Sequence, residues 1–214
     1  MTKTWQDYFD PIIEVRKKLD NPNESPLLKV INSGRTESLQ RLIEKIVKDV
    51  KNVEQIFKIT TELKNNDCDE RIDDMVGELR GAVYLINKGH LNIEYHKNIV
   101  DFTSMFDNKK YAIEVKFLRG PDFKNQEQIG PNLAYELNSE PVKENLKNKV
   151  EHGYTQIYNF QTTHSDYQGI IVIVTNRLEL DKFYFEKDID KFRKQIETEK
   201  NMKIVILTND DIYE

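Results

Sequence analysis

Three ionisable residues are spaced so that two neighbouring strands would bring them to one point: Asp101 in Ile99-Val100-Asp101-Phe102, and Glu114 and Lys116 in Ile113-Glu114-Val115-Lys116. Side chains alternate faces along a strand, so Glu114 and Lys116 share one side while Ile113, Val115 and Phe117 take the other. Asp107-Asn108 suits a two-residue hairpin turn, which sets Asp101 directly opposite Glu114. A four-residue turn from Asp107 to Lys110 sets Asp101 opposite Lys116 instead and keeps all three on one face. Only an odd offset, such as a bulge, separates them.

Two carboxylates at cross-strand distance, roughly 5 Å between Cβ atoms, repel one another unless a cation offsets their charge. Mg²⁺ is commonly held by one or two carboxylates together with substrate phosphate oxygens, and Mn²⁺ is expected to substitute. Such an ion promotes phosphodiester hydrolysis by polarising the phosphoryl oxygen, acidifying a bound water and steadying the leaving oxygen. Lys116 would orient the attacking water or offset transition-state charge. The alternative is the solvent face of an ordinary hairpin, where an ion pair carries little energy. Burial separates the two, because a strand flanked by Ile113, Val115 and Phe117 is expected to be substantially buried, where charges need partners or a metal.

The elements that would hold these groups can be read from periodicity. Trp5 to Leu19 reads as a short helix, and Thr36 to about Leu63 as one long amphipathic helix carrying Leu39, Leu42, Ile43, Ile46, Val50, Val53, Ile56 and Phe57. A second helix, opening near Asp69 or Asp73, carries Ile72, Met75, Leu79, Ala82, Val83 and Ile86 and stops at Gly89. Strands are expected at Leu91 to His96, Ile99 to Phe106 and Tyr111 to Leu118. Arg119 to Asn138, with Gly120-Pro121 and Gly130-Pro131, reads as a substrate-contacting loop or lid. Ser139 opens a helix reaching about Gln161. The runs Gly169 to Thr175 and Lys203 to Thr208 read as strands buried on both faces, with a helix from Asp188 to Lys200 as a parallel crossover.

Composition narrows the chemistry. The chain of 214 residues has a formal charge of −5, which argues against coating nucleic acid by bulk electrostatics and leaves room for a local metal site. Cys68 is the only cysteine, so an intramolecular disulfide or cysteine-rich metal site cannot form. His90, His96, His152 and His164 lack i, i+4 spacing and read as surface or packing residues. No run approaches a membrane span, and the first thirty residues lack a basic stretch followed by an apolar one, so no membrane association and a cytoplasmic address are expected.

With Asp101 on one strand and Glu114-Val115-Lys116 thirteen residues later on the next, the sequence resembles the PD-(D/E)XK nuclease superfamily over about Asp69 to Thr175. Val100 stands where that family's motif has proline, a residue that holds no metal. The resemblance implies an α/β, restriction-endonuclease-like core at residues 67–214: a mixed central sheet flanked by helices in αβββαβ order, with an N-terminal helical region at 1–66. It implies metal ligation by Asp101, Glu114 and the backbone carbonyl of Val115. It also implies a helical acid before the first strand, where Glu78 sits and would reach the metal directly or through water. A Lys or Gln follows on the helix after the third strand; Lys149 and Gln156 share a helix face there, and Gln156 with Phe160 looks like the Gln-x3-Tyr element of some branches.

The expected function is Mg²⁺-dependent endonuclease cleavage of DNA, of restriction or phage-defence type, on a double-stranded substrate. Homodimerisation is an option, with Thr36 to Leu63 as a candidate interface. Alternatives are an RNA or branched-DNA nuclease of the same fold, or a non-catalytic nucleic-acid-binding scaffold. Lys109, Lys110, Arg119, Lys124, Lys143 and Lys147 are candidates for a phosphate-contacting rim or a scattered surface population.

Overall fold

Apolar strands that must bury both faces need a layer on each side, and that requirement shapes the molecule. The computed structural model describes residues 5–18, 36–57, 68–96, 98–118, 140–175, 193–195, 197–198 and 202–207. In chain order the elements are α1 (Trp5–Lys17), α2 (Thr36–Asp49), β1 (Val50–Lys51), α3 (Cys68–Asn87), β2 (Leu91–Tyr95), β3 (Phe102–Phe106), β4 (Lys109–Leu118), α4 (Glu140–Gln161), β5 (Tyr167–Thr175) and β6 (Met202–Leu207). The strands form one mixed sheet in the order β1-β2-β3-β4-β5-β6. β2, β3 and β4 run antiparallel in sequence, while β1 lies parallel to β2, and β4, β5 and β6 are mutually parallel.

Two cores sandwich this sheet. On one side Ile43 and Ile46 of α2 and Met75, Leu79, Ala82 and Val83 of α3 pack with Ile93, Tyr95, Phe102, Ile113, Val115, Phe117, Val172 and Val174. On the other, Leu146, Val150, Ile157 and Phe160 of α4 pack with Ala112, Leu118, Ile171, Ile173 and Ile204. β4 and β5 thus send alternate side chains into different cores, as buried parallel strands do. α3 ends where Gly89 takes φ 80 and its N–H donates to Ile86 O at 3.0 Å, the glycine-assisted stop that its position in the sequence suggests.

The N-terminal region departs from the sequence reading. The expected single helix from Thr36 to Leu63 stops at Asp49; Val50 and Lys51 leave it to pair with Ile93 and Glu94, and Asn52 turns the chain at φ 61. A helical turn at 54–57 follows, so Val53, Ile56 and Phe57 are still buried. Helical spacing survives the break because the turn returns the same residues to the same core, which is why periodicity alone hid it. The region 1–66 therefore contributes a strand as well as helices, and its buried residues belong to the same core as α3. β3 begins at Phe102 rather than Ile99, since 98–99 and Asp101 form bends. The expected crossover helix is helical at 193–195 and 197–198. The loop Arg119 to Asn138 and the stretch after Phe57 to Leu63 lie outside the described residues. Among the described residues no helix is long and apolar enough to cross a membrane.

Candidate active site

The hairpin turn is the local event that builds the site. Asp107 and Asn108 both adopt left-handed φ, 49° and 57°, the conformation a two-residue turn between right-twisted strands needs and one that Asp and Asn tolerate. The resulting register pairs Phe106 with Lys109 and Phe102 with Ile113. One residue further on, in the bend before β3, Asp101 meets Glu114.

Their contact is reciprocal. The Asp101 N–H donates to Glu114 Oε2 at 3.3 Å, and Val115 N–H donates to Asp101 Oδ2 at 2.7 Å. An extended residue directs its N–H and C=O to the same side of the strand. The Val115 carbonyl is therefore directed to the same edge of β4 as its N–H, where Asp101 stands.

Glu114 is 1% exposed, between the buried sheet and α4, and this removes the solvent-face alternative for its carboxylate. Burial first, and the Asp101 carboxylate second, push its pKa up from 4.5 to about 8, against the opposing pull of Lys116. Lys116, two residues on along the same face, places Nζ 2.5 Å from Glu114 Oε1 and 2.6 Å from Gln156 Oε1. Gln156 reaches it from α4, on the flank of the stripe formed by Val150, Gly153 and Ile157. One ammonium is thus fixed between a strand carboxylate and a helix amide.

Close approach of the helices holds β4 in place. A Cβ on Gly81 of α3 would lie 2.7 Å from Val115 Cγ2, and one on Gly77 would lie 3.3 Å from Phe117 Cδ2. Glycine there lets α3 sit directly on the apolar side of the strand whose other side carries Glu114 and Lys116.

The remaining expected residues separate into two groups. Glu78 is buried and accepts the Tyr95 hydroxyl at 3.1 Å, from a helix on the Val115 side of the sheet. Among the described residues no group of three or more His, Cys, Asp or Glu side chains stands together as a metal cage, so Glu78 does not join Asp101 and Glu114 in one. Lys149 is half-buried on α4, one heptad before Gln156. Lys109 and Lys110 lie at the hairpin end of β4, where Lys110 pairs with Asp166 at 2.7 Å, six residues or roughly 20 Å from Lys116. They do not line this site. Lys147 is exposed on α4; Arg119 and Lys124, and the Lys143 side chain, lie outside the described residues.

Two residues that the sequence reading left as packing or unremarked adjoin the site. His96 donates its backbone N–H to Asp101 O at 2.9 Å, and its ring Nε2 lies 2.8 Å from Thr103 Oγ1. No spacing rule flags a histidine that reaches the site by strand pairing alone.

No protein-family model matches this chain, and no curated protein and no solved structure matches it either.

Proposed function

We propose that this chain is a Mg²⁺-dependent endonuclease of the PD-(D/E)XK type, built on a restriction-endonuclease-like core, that hydrolyses phosphodiester bonds in DNA in the cytoplasm, in a restriction or phage-defence role. The observation that carries this reading is the buried Glu114 carboxylate paired with half-buried Asp101, with Lys116 held against Glu114 by Gln156. The αβββαβ order of α3, β2, β3, β4, α4 and β5 agrees with it.

The donor set fits a hard divalent ion. Two carboxylates and the Val115 carbonyl are all oxygen donors, which Mg²⁺ and Mn²⁺ prefer. The high proton affinity of Glu114 means that the Lys116 ammonium alone does not offset the pair. When bound, Mg²⁺ supplies Lewis acidity towards a phosphoryl oxygen and lowers the pKa of a coordinated water.

The chain's own groups do the rest. Asp101, fixed through its Oδ2 by Val115 N–H, supplies one carboxylate of the pair, and Glu114 supplies the other from β4. Lys116 carries the positive charge that binds a phosphate oxygen and stabilises the charge developing there in the transition state. Gln156 orients that ammonium by accepting one of its hydrogens. A homodimer would set two such centres against opposite strands of a duplex.

The test is digestion of plasmid DNA, single-stranded DNA, tRNA and four-way junctions with Mg²⁺, with Mn²⁺ and with EDTA. The expected result is metal-dependent cleavage of duplex DNA by the wild type, lost in Asp101→Ala, Glu114→Ala and Lys116→Ala. Cleavage persisting in EDTA or in Glu114→Ala overturns the mechanism. Cleavage confined to tRNA or junctions reassigns the substrate.

A further inference from the structure

Helix α4 packs on β4 and β5, and the same side of β2 and β3 carries the polar side chains Glu94, His96, Asp101 and Thr103. A bulge decides which residues these are. Leu91 pairs with Met105, but Glu94 pairs with Thr103 and Tyr95 with Phe102, and Asn92 between them adopts φ 52. A strand continued from Leu91 without the extra residue would bring Tyr95 opposite Asp101; the bulge brings His96 there instead.

His96, one residue past β2, Asp101, in the bend before β3, and Glu114 of β4 therefore fall in one row, joined by the His96 N–H to Asp101 O bond and by the Asp101 N–H to Glu114 Oε2 bond. The neighbouring row, Tyr95, Phe102 and Ile113, points into the α3 core. The His96 ring is half-buried and lies along the sheet, tied to Thr103. The charged or titratable groups acting on it are Glu94, whose carboxylate accepts a hydrogen bond from Asn52 Nδ2 at 3.1 Å, and His164 beyond the end of α4.

We propose that His96 is a substrate-contacting residue of the same centre and binds the phosphate adjacent to the scissile one. The inference rests on the nuclease reading and adds the path of the substrate: the polynucleotide strand crosses the β-strands from β4 towards β2 instead of running along them. Nε2 is engaged by the Thr103 hydroxyl at 2.8 Å, and in the tautomer that takes this hydroxyl as its donor the ring hydrogen sits on Nδ1, where it would donate to a non-bridging phosphate oxygen. Strands lie about 4.8 Å apart, so a point midway between Asp101 and Glu114 is roughly 7 Å from His96. That distance is comparable with the span of one nucleotide. A neutral donor also suits the place, because a phosphodiester passing two carboxylates needs hydrogen bonds there, and an N–H gives one without a further buried charge.

The test uses an oligonucleotide that the wild-type protein cuts in the substrate panel, remade with one uncharged methylphosphonate at the phosphate on either side of the mapped cut. Wild type, His96→Ala, His96→Gln and Thr103→Val are compared by kcat/KM with Mg²⁺, after melting curves establish that each is folded. The expected result is a loss of about tenfold for His96→Ala on the all-phosphate substrate and a similar loss for the wild type on one methylphosphonate. That methylphosphonate then costs His96→Ala less than about twofold, because both changes remove one contact. His96→Gln, which keeps a donor, recovers part of the activity, and Thr103→Val, which releases the ring, reproduces the alanine result. If the two losses multiply to about a hundredfold for both flanking positions, His96 does not touch that phosphate and the inference is wrong while the nuclease reading stands. A wild type that cuts nothing in the panel overturns both.

Discussion

Replacing Glu114 by glutamine should stabilise the metal-free protein at alkaline pH while abolishing its proposed activity. The Glu114 carboxyl titrates near 8 in the folded chain against an ordinary 4.5, so between those values the folded state holds a proton that the unfolded state has released. Stability therefore falls as pH rises through that window. At about 1.4 kcal/mol per pH unit the full interval sets a ceiling of about 5 kcal/mol. The amide reproduces the protonated carboxyl's hydrogen bonds imperfectly, which offsets part of the gain in the variant, so a net of about 2 kcal/mol is the expectation near pH 9. For a chain of this size that is a rise of roughly 4–8 °C in Tm. Near pH 5 the wild-type carboxyl is already protonated, and the two proteins should melt together. Melting curves in EDTA at pH 5, 6, 7, 8 and 9 make the comparison, repeated with Mg²⁺. The ion should raise the wild type by about 2.7 kcal/mol at a hundred times its dissociation constant and leave Glu114→Gln unmoved. Parallel curves across the pH range would refute the raised pKa. A wild type more stable than the variant at pH 9 in EDTA would mean that Lys116 alone satisfies Glu114.

Three other outcomes follow from particular contacts. Gln156→Ala, which removes the acceptor that orients Lys116, should lower kcat by about 10–100-fold with KM nearly unchanged, measured in steady-state cleavage; an effect on KM alone would make Gln156 a binding residue. Gly81→Ala should destabilise the fold by about 1–2 kcal/mol in denaturant melts, because its Cβ would sit 2.7 Å from Val115 Cγ2 and outweigh the helix propensity gained; an increase in stability would show that β4 can move. His90 is buried, bonded to Ser104 Oγ at 2.7 Å and stacked on Phe106, and burial with the Lys203 charge lowers its pKa from 6.5 to about 4. The unfolded chain then binds more protons across that interval, so this contribution is present above pH 6.5 and lost as pH falls towards 4. His90→Gln should flatten the acid limb of the Tm–pH curve, and an unchanged limb would contradict the assignment.

The hairpin was legible because its chemistry is local. Asp107 and Asn108 tolerate left-handed backbone, a two-residue turn fixes register, and register fixes that Asp101 meets Glu114. The apolar runs around β5 and β6 were equally plain, since strands buried on both sides show no alternation to misread. What escaped depends on partners distant in sequence. The break at Asp49 exists because Val50 and Lys51 have an open edge of β2 to pair with, and no residue at the break itself announces it. The bulge at Asn92 looks like ordinary strand, although it decides whether Tyr95 or His96 stands beside Asp101. Periodicity puts Glu78 on α3, but its partner Tyr95 follows from how α3 crosses the sheet, an angle that helix periodicity does not carry.

Titration of Mn²⁺ against the metal-free protein, followed by the electron paramagnetic resonance of the free ion, tests the central claim without knowledge of the substrate sequence. The account predicts one ion bound per chain at neutral pH by the wild type, with binding abolished in Asp101→Asn and in Glu114→Gln. An ion bound equally well by all three proteins, or by none, would contradict it.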